Sequence, residues 1–332
     1  MKPLLTLALS VTAFAQTWVP QTSGVTASLR GVSAVSPKIV WASGSGGHWL
    51  RTLDGGEHWQ SAVVPGAEKL DFRAVVARNE NTAWLMSIGP GDSSRIYQTT
   101  DAGSTWKLLF TNPDAKGFFD GLAFRDSKNG ILLGDAVDGR MTIFTTGDGG
   151  HTWTRSQPVP ALPEEGAFAA SNSSLATGRG RQIFFGTGGR GAARVHRSAD
   201  GGKTWTVTST PVRSDNSSAG IFSLAFSDAR HGIAVGGDYA KDKETTGNIA
   251  VTADGGKTWT APANSPGGFR SAVTFVRALK IWLATGTSGS DLSIDHGKTW
   301  KRFDNGSYNA LAVSGRAIFA VGAKGAIARF QP

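Results

Sequence analysis

The chain has 332 residues, with 34 Lys and Arg against 25 Asp and Glu for a formal net charge of +9, and no cysteine. That absence excludes disulfides, thiolate zinc sites, iron–sulfur ligation and a cysteine nucleophile. Glycine accounts for 44 residues, about 13% of the chain against an ordinary ~7%, which argues against long helices and for many turns.

Met1-Lys2 makes a short basic start, residues 4–14 an uncharged and mostly apolar run, and Ala13-Phe14-Ala15 a small-x-small site. This layout predicts a secretory signal cleaved after Ala15 and a secreted or periplasmic protein that begins at Gln16. The run is about half the ~20 apolar residues a membrane helix needs. No other stretch reaches that length, so no transmembrane segment is expected.

From residue 52 onward one eight-residue pattern, S/T-x-D-x-G-x-x-W, recurs six times. Its aspartates are Asp54, Asp101, Asp148, Asp200, Asp254 and Asp295, and its tryptophans Trp59, Trp106, Trp153, Trp205, Trp259 and Trp300. The Asp and the hydroxyl can accept backbone N–H groups, and the Gly permits positive φ, so the pattern predicts a hairpin turn held by side-chain hydrogen bonds. The Trp offers a large apolar face to wedge between neighbouring units. These twelve residues are therefore read as structural.

Around the first turn, 29–35, 39–43, 48–53 and 58–64 read as four short strands, and repeats of this length with four strands each predict propeller blades. The expected blades are 29–64, 71–110, 118–157, 166–210, 219–262 and 269–304, with a last one at 308–330 plus 16–22. Thr17-Trp18 repeats the Thr-Trp that ends the turn pattern, so residues 16–22 are expected to supply the outer strand that the tail lacks. The fold class is all-β, a seven-bladed β-propeller of four-stranded antiparallel blades, closed by an N-terminal outer strand in the last blade. Residues 16–332 form one domain, expected to be monomeric.

In such a ring the first strand of each blade lines the channel, and its start shares a face with the loops joining strands two and three. The starts place Arg30, Arg73 and Arg270 at matching positions in the first, second and sixth blades. Guanidinium groups there suit a carboxylate or another anion. Pairing of each Arg with a neighbour such as Asp71, Asp120 or Asp135 is the open alternative. The two-to-three loops add Arg140 and Arg190 as binding residues, and the loop at 238–246 (DYAKDKETT) is the best single recognition element. Carboxylates on the same face, Asp120, Asp135 and Asp238, are the alternative catalytic set, an acid and base pair for glycoside hydrolysis.

Other motifs fail on context. The segment 186–191 (GTGGRG) matches a dinucleotide fingerprint without a following helix, and Gly-Lys-Thr at 202–204, 256–258 and 297–299 lacks the first glycine of a phosphate loop. The six histidines show no metal-ligand spacing, so neither metal nor cofactor is expected. The basic residues are spread over all blades without an aromatic-interleaved stripe, which speaks against nucleic acid. A protein or peptide with acidic or carboxylate groups is the expected partner, and a glycan the alternative.

The repeated pattern resembles the Asp-box, or BNR repeat, of sialidases and sortilin-type receptors. With strands such as Phe72-Arg73-Ala74-Val75 and turns such as 252–259 (TADGGKTW), the whole chain is similar to the Ycf48-like photosystem II stability and assembly factors. That resemblance implies a non-enzymatic assembly scaffold with an arginine-rich face toward its partner, carried here by Arg30, Arg73 and Arg270. A classical sialidase would show an Arg-Ile-Pro segment, and none exists.

Overall fold

The computed structural model describes residues 16–332. The cleavage signal expected at 1–15 lies outside the described residues. The fold is all-β and propeller-like, built of four-stranded antiparallel sheets. Its helical pieces among the described residues are three single turns, Gly91–Ser93, Tyr239–Lys241 and Ala323–Gly325.

Among the described residues the strands form seven sheets, numbered here by their inner strands Leu29–Ala34, Asp71–Ala77, Phe119–Phe124, Leu175–Thr177, Asp215–Phe226, Ala272–Val276 and Ala310–Ser314. Each first strand packs on the next, and Ala310–Ser314 packs on Leu29–Ala34. In sheet 7 the outer position is taken by Thr17–Gln21, which runs antiparallel to Ile327–Gln331 with Trp18 opposite Phe330. Second strands such as Val40–Gly44 and Ala317–Val321 are buried at every position. They lie between two neighbouring sheets, which is why they read as unbroken apolar or small-residue runs. Outer strands such as Gln60–Val63 are mostly exposed.

The core is a set of clusters between successive sheets, each with a tryptophan. Trp106 packs between sheets 1 and 2, Trp153 between 2 and 3, Trp205 between 3 and 4, Trp259 between 4 and 5, and Trp300 between 5 and 6. Trp59 packs between sheets 7 and 1. The remaining interface, between sheets 6 and 7, holds Trp18, with Tyr308 and Phe330 rings at 5.5 Å and its indole N–H donated to Ser290 at 3.0 Å. Trp18 thus occupies the place that the turn pattern fills elsewhere.

All six turns have one geometry. The Ser or Thr hydroxyl donates to the Asp Oδ1 at 2.7–2.8 Å and accepts the N–H of the second turn residue after that Asp at 2.8–3.0 Å. The same Oδ1 accepts the N–H four residues further on at 2.9–3.0 Å. Gly103 shows why glycine is needed: its φ is 88°, and a Cβ there would stand 2.4 Å from the Trp49 indole.

Sheets 3 to 5 depart from the expected strands. Sheet 4 does not start near the beginning of the expected blade 166–210. Residues 167–174 are irregular and its first strand is only Leu175–Thr177. The cause lies in Ser171-Asn172-Ser173, short polar side chains that bond to backbone and to other side chains in place of a ladder. In sheet 3 the outer strand shrinks to Thr154–Arg155, and in sheet 5 to the single bridge Val251–Thr260. Sheet 5 gains two extra strands, Gly188–Arg190 and Glu165–Gly166. Buried Glu165 fixes this ribbon by accepting from Arg194 Nε at 2.9 Å and Thr187 Oγ1 at 2.6 Å, with His196 Nε2 at 3.4 Å. Burial pushes the Glu165 carboxyl up, but its hydrogen bonds outweigh that and hold it at about 2.

Candidate functional site

The starts of the first strands and the ribbon of sheet 5 enclose a cavity of about 550 Å³. Its lining includes Arg30 and Arg73, the carboxyl groups of Asp120, Asp135 and Glu164, and the rings of Phe168, Phe222, Phe269 and Tyr239. None of the Asp or Trp residues of the six turns is among its walls. A second cavity, about 600 Å³, lies between sheets 3 and 4 and shares no residue with the first.

The irregular segment 167–174 shapes this cavity. Its Ala169 carbonyl accepts from Arg73 Nη1 at 3.0 Å, and Asn172 exchanges two bonds with Leu122, accepting its N–H at 2.7 Å and donating to its carbonyl at 2.9 Å. Ser173 Oγ reaches Ser223 at 2.7 Å, and Ser171 Oγ donates to the Ser271 carbonyl at 2.7 Å. The segment therefore ties sheets 2, 3, 5 and 6 together across their first strands. Phe168 stacks on Phe222 at 3.9 Å, and Phe222 meets Phe269 edge-on at 4.7 Å.

The three equivalent arginines have three different surroundings. Arg30 is half-buried and makes no ion pair among the described residues; burial, then the charge of Arg73, pulls its pKa below the ordinary arginine value. Arg73 is held by Asp71 Oδ2 at 2.9 Å. Arg270 does not join them. It is fully buried, with Nε on Asp291 Oδ2 at 2.7 Å and Nη1 on the Phe269 carbonyl at 2.7 Å and Ser288 Oγ at 2.9 Å. A carboxylate on the third strand of its own sheet draws it inward, so the expected cluster of three reduces to Arg30 and Arg73.

The carboxylates divide in the same way. Asp120 is 1% exposed and its Oδ2 has no hydrogen-bond partner. Burial, then the charge of Asp135, holds its pKa well above the usual carboxylate range. Burial also pushes Asp135 up to about 6, although its Oδ1 accepts the Ala167 N–H at 2.9 Å. Asp238 is absent from the cavity wall. It accepts from Ser218 Oγ at 2.6 Å, Asn216 Nδ2 at 3.0 Å and the Ala240 N–H at 2.9 Å, as the cap of the turn Tyr239–Lys241. Those bonds outweigh burial and lower its pKa.

Arg190 is exposed beside Glu164 at 3.4 Å, on the cavity's edge, and Arg140 is exposed at the hairpin end of sheet 3, outside the cavity wall. The loop at 238–246 contributes Tyr239, 54% exposed, to the cavity. Sequence reasoning missed the aromatic wall and Glu164. Phe168 falls near the start of the expected blade 166–210, and only the loss of alternation after it marks residues 167–174 as irregular.

Comparison with known proteins places this geometry. A xyloglucanase from Paenibacillus sp. is 27% identical over 158 residues, which are 39% of this chain and 15% of that protein. The photosystem II assembly protein Ycf48 of Synechococcus sp. is 24% identical over 275 residues, 61% of this chain and 81% of that one. Among solved structures, Ycf48 bound to a D1 peptide has a TM-score of 0.67 at 16% identity, covering 97% of this chain and 98% of its own. Ycf48 from Cyanidioschyzon merolae has a TM-score of 0.66 at 20% identity, covering 96% and 99%. The similarity to Ycf48 read from the sequence is thus found in both chain and fold. The DUF6242 beta propeller domain matches residues 17–302, and the chain belongs to that family.

Proposed function

We propose that the chain is an exported seven-bladed propeller, latched by pairing of its first and last strands, that serves as a protein-binding scaffold and takes a carboxylate-bearing segment of its partner into the axial cavity. Export rests on the signal-like layout of 1–15, and the ring on one sheet per expected blade. The observation that carries the binding role is Arg30. It is a half-buried guanidinium without an ion-pair partner among the described residues, lining a cavity that four aromatic rings also line. A guanidinium in that setting gains from a bidentate carboxylate, and the aromatic wall gains from an apolar neighbour on the same segment. Ycf48, similar in chain and fold, is named as an assembly protein and has been solved with a peptide, which supports a peptide as the occupant.

The acetylated, amidated peptide Ala-Glu-Phe-Glu-Ala tests this by calorimetry at pH 5.5. Arg30→Ala is expected to weaken binding tenfold or more, and a peptide with Gln for Glu to bind as weakly as that variant. Unchanged affinity in Arg30→Ala counts against the reading.

A second reading has one observation in its favour, the carboxyl pair Asp120 and Asp135 in the same cavity, which would serve a glycan-binding or glycosidase site. Burial of Asp120 away from the cavity's solvent speaks against proton transfer to a substrate. Hydrolysis of a glycoside panel that is lost in Asp120→Asn would establish that second reading in place of the scaffold.

A further inference from the structure

Of the three carboxyl groups that line the axial cavity, Asp120 and Asp135 are in no ion pair among the described residues. Asp120 comes from the first strand of sheet 3 and Asp135 from its second. Asp120 leaves Oδ2 bare, and Asp135 Oδ1 has one N–H donor. The ribbon crowds Asp135: a Cβ on Gly166 would lie 2.6 Å from its Oδ1.

We infer that Asp120 and Asp135 are both held protonated as part of the anion site, so that a carboxylate-bearing partner binds the protonated cavity and leaves as Asp135 gives up its proton. This rests on the scaffold reading above and adds to it what sets the cavity's charge.

The charged and titratable groups facing the pair come from every neighbouring element. Sheet 1 supplies Arg30, and sheet 2 supplies Arg73 with Asp71 at 2.9 Å. The ribbon supplies Glu164 with Arg190 at 3.4 Å, and the 238–246 loop supplies Tyr239. Segment 167–174 has no titratable side chain, and Arg270 is turned to Asp291. With Arg73–Asp71 and Arg190–Glu164 taken as neutral pairs, Arg30 leaves the cavity at one positive charge while Asp135 is protonated. Ionisation of Asp135 cancels it. Asp135 titrates at about 6, whereas glutamate side chains of a peptide remain ionised from about pH 5 upward. Proton loss therefore removes the attraction without changing the ligand.

The same Ala-Glu-Phe-Glu-Ala peptide, titrated at constant ionic strength from pH 5.5 to 8, tests this. Wild-type affinity is expected to weaken above about pH 6 with a slope approaching tenfold per pH unit, the limit for one linked proton. Calorimetry in phosphate and in Tris should report uptake of up to one proton at pH 7. Asp135→Asn keeps an acceptor for the Ala167 N–H and is expected to bind at pH 8 as wild type does at pH 5.5, with a flat profile and no proton uptake. An equal slope in Asp135→Asn, or a flat wild-type profile, overturns the inference while an Arg30-dependent affinity leaves the scaffold reading intact. Absence of binding at every pH, or binding indifferent to Arg30→Ala, removes the scaffold reading and this inference together. Cooperative melting of both variants confirms that they are folded.

Discussion

The rim and the axis of this molecule follow opposite rules. At the rim, six turns repeat one set of hydrogen bonds within about 0.1–0.2 Å of one another. At the axis, Arg30, Arg73 and Arg270 occupy equivalent positions and do three different things. The turn carries its partners within eight residues, so copying the sequence copies the geometry. An axial side chain finds its partners on other strands, such as Asp291 for Arg270 and the Ala169 carbonyl for Arg73. Repetition of a residue there says little about its role.

Breaking the Arg270 pair is the largest effect expected. With Arg270 at 0% and Asp291 at 2% exposure, Arg270→Ala strands a buried carboxylate and should cost about 3–5 kcal/mol of unfolding free energy. Replacing both residues by Met and Leu should return most of that loss, because two desolvated charges are then removed together. Denaturant melts of the single and double variants check it, and a single variant as stable as wild type would place Arg270 in water and back among the binding residues.

Trp18 sharpens the contrast from the other side. It lies outside any turn pattern, yet it fills the inter-sheet position that patterned tryptophans fill elsewhere. Trp18→Ala should cost roughly 3 kcal/mol, at the lower end for a buried aromatic because the site borders solvent. The same variant should loosen the pairing of Thr17–Gln21 with Ile327–Gln331, read as faster amide exchange in both strands. A cost within ±0.5 kcal/mol would make the first strand an ornament and not a latch.

What the sequence made legible follows the same division. The turns, the apolar second strands and the kinship of Thr17-Trp18 with the turn tryptophans were readable because their physics is local or periodic. The four-stranded antiparallel sheets came with them. The segment 167–174 was not readable as an axial tie, since Phe168-Ala169-Ala170 looks like the start of a strand and its polar partners, Leu122, Ser223 and Ser271, lie 50 to 100 residues away. The pairing of Arg270 with Asp291 was equally hidden. Residues 21 positions apart meet only once the register of sheet 6 is known. Asp120 and Asp135 were visible as candidates, but their burial, which raises their pKa, depends on the ribbon that Glu165 anchors.

The smallest effect tests how far the rim's uniformity extends. At the first position after the Asp, four turns have glycine with φ from 78° to 84°, whereas Ala102 and His296 adopt φ of 67° and 60° in the other two. A side chain with a Cβ in the left-handed region is strained by roughly 1 kcal/mol, and glycine relieves this at the expense of a more disordered unfolded chain. Ala102→Gly is therefore expected to gain about 0.5 kcal/mol. His296→Gly should gain less, because the imidazole stacks near His231 at 4.7 Å and loses that contact. Denaturation midpoints of the two variants, compared with the same change made nowhere near a turn, decide the matter. A loss of stability in both would mean that the six turns are alike in hydrogen bonding but not in backbone strain, and that the rim carries position-specific demands as the axis does.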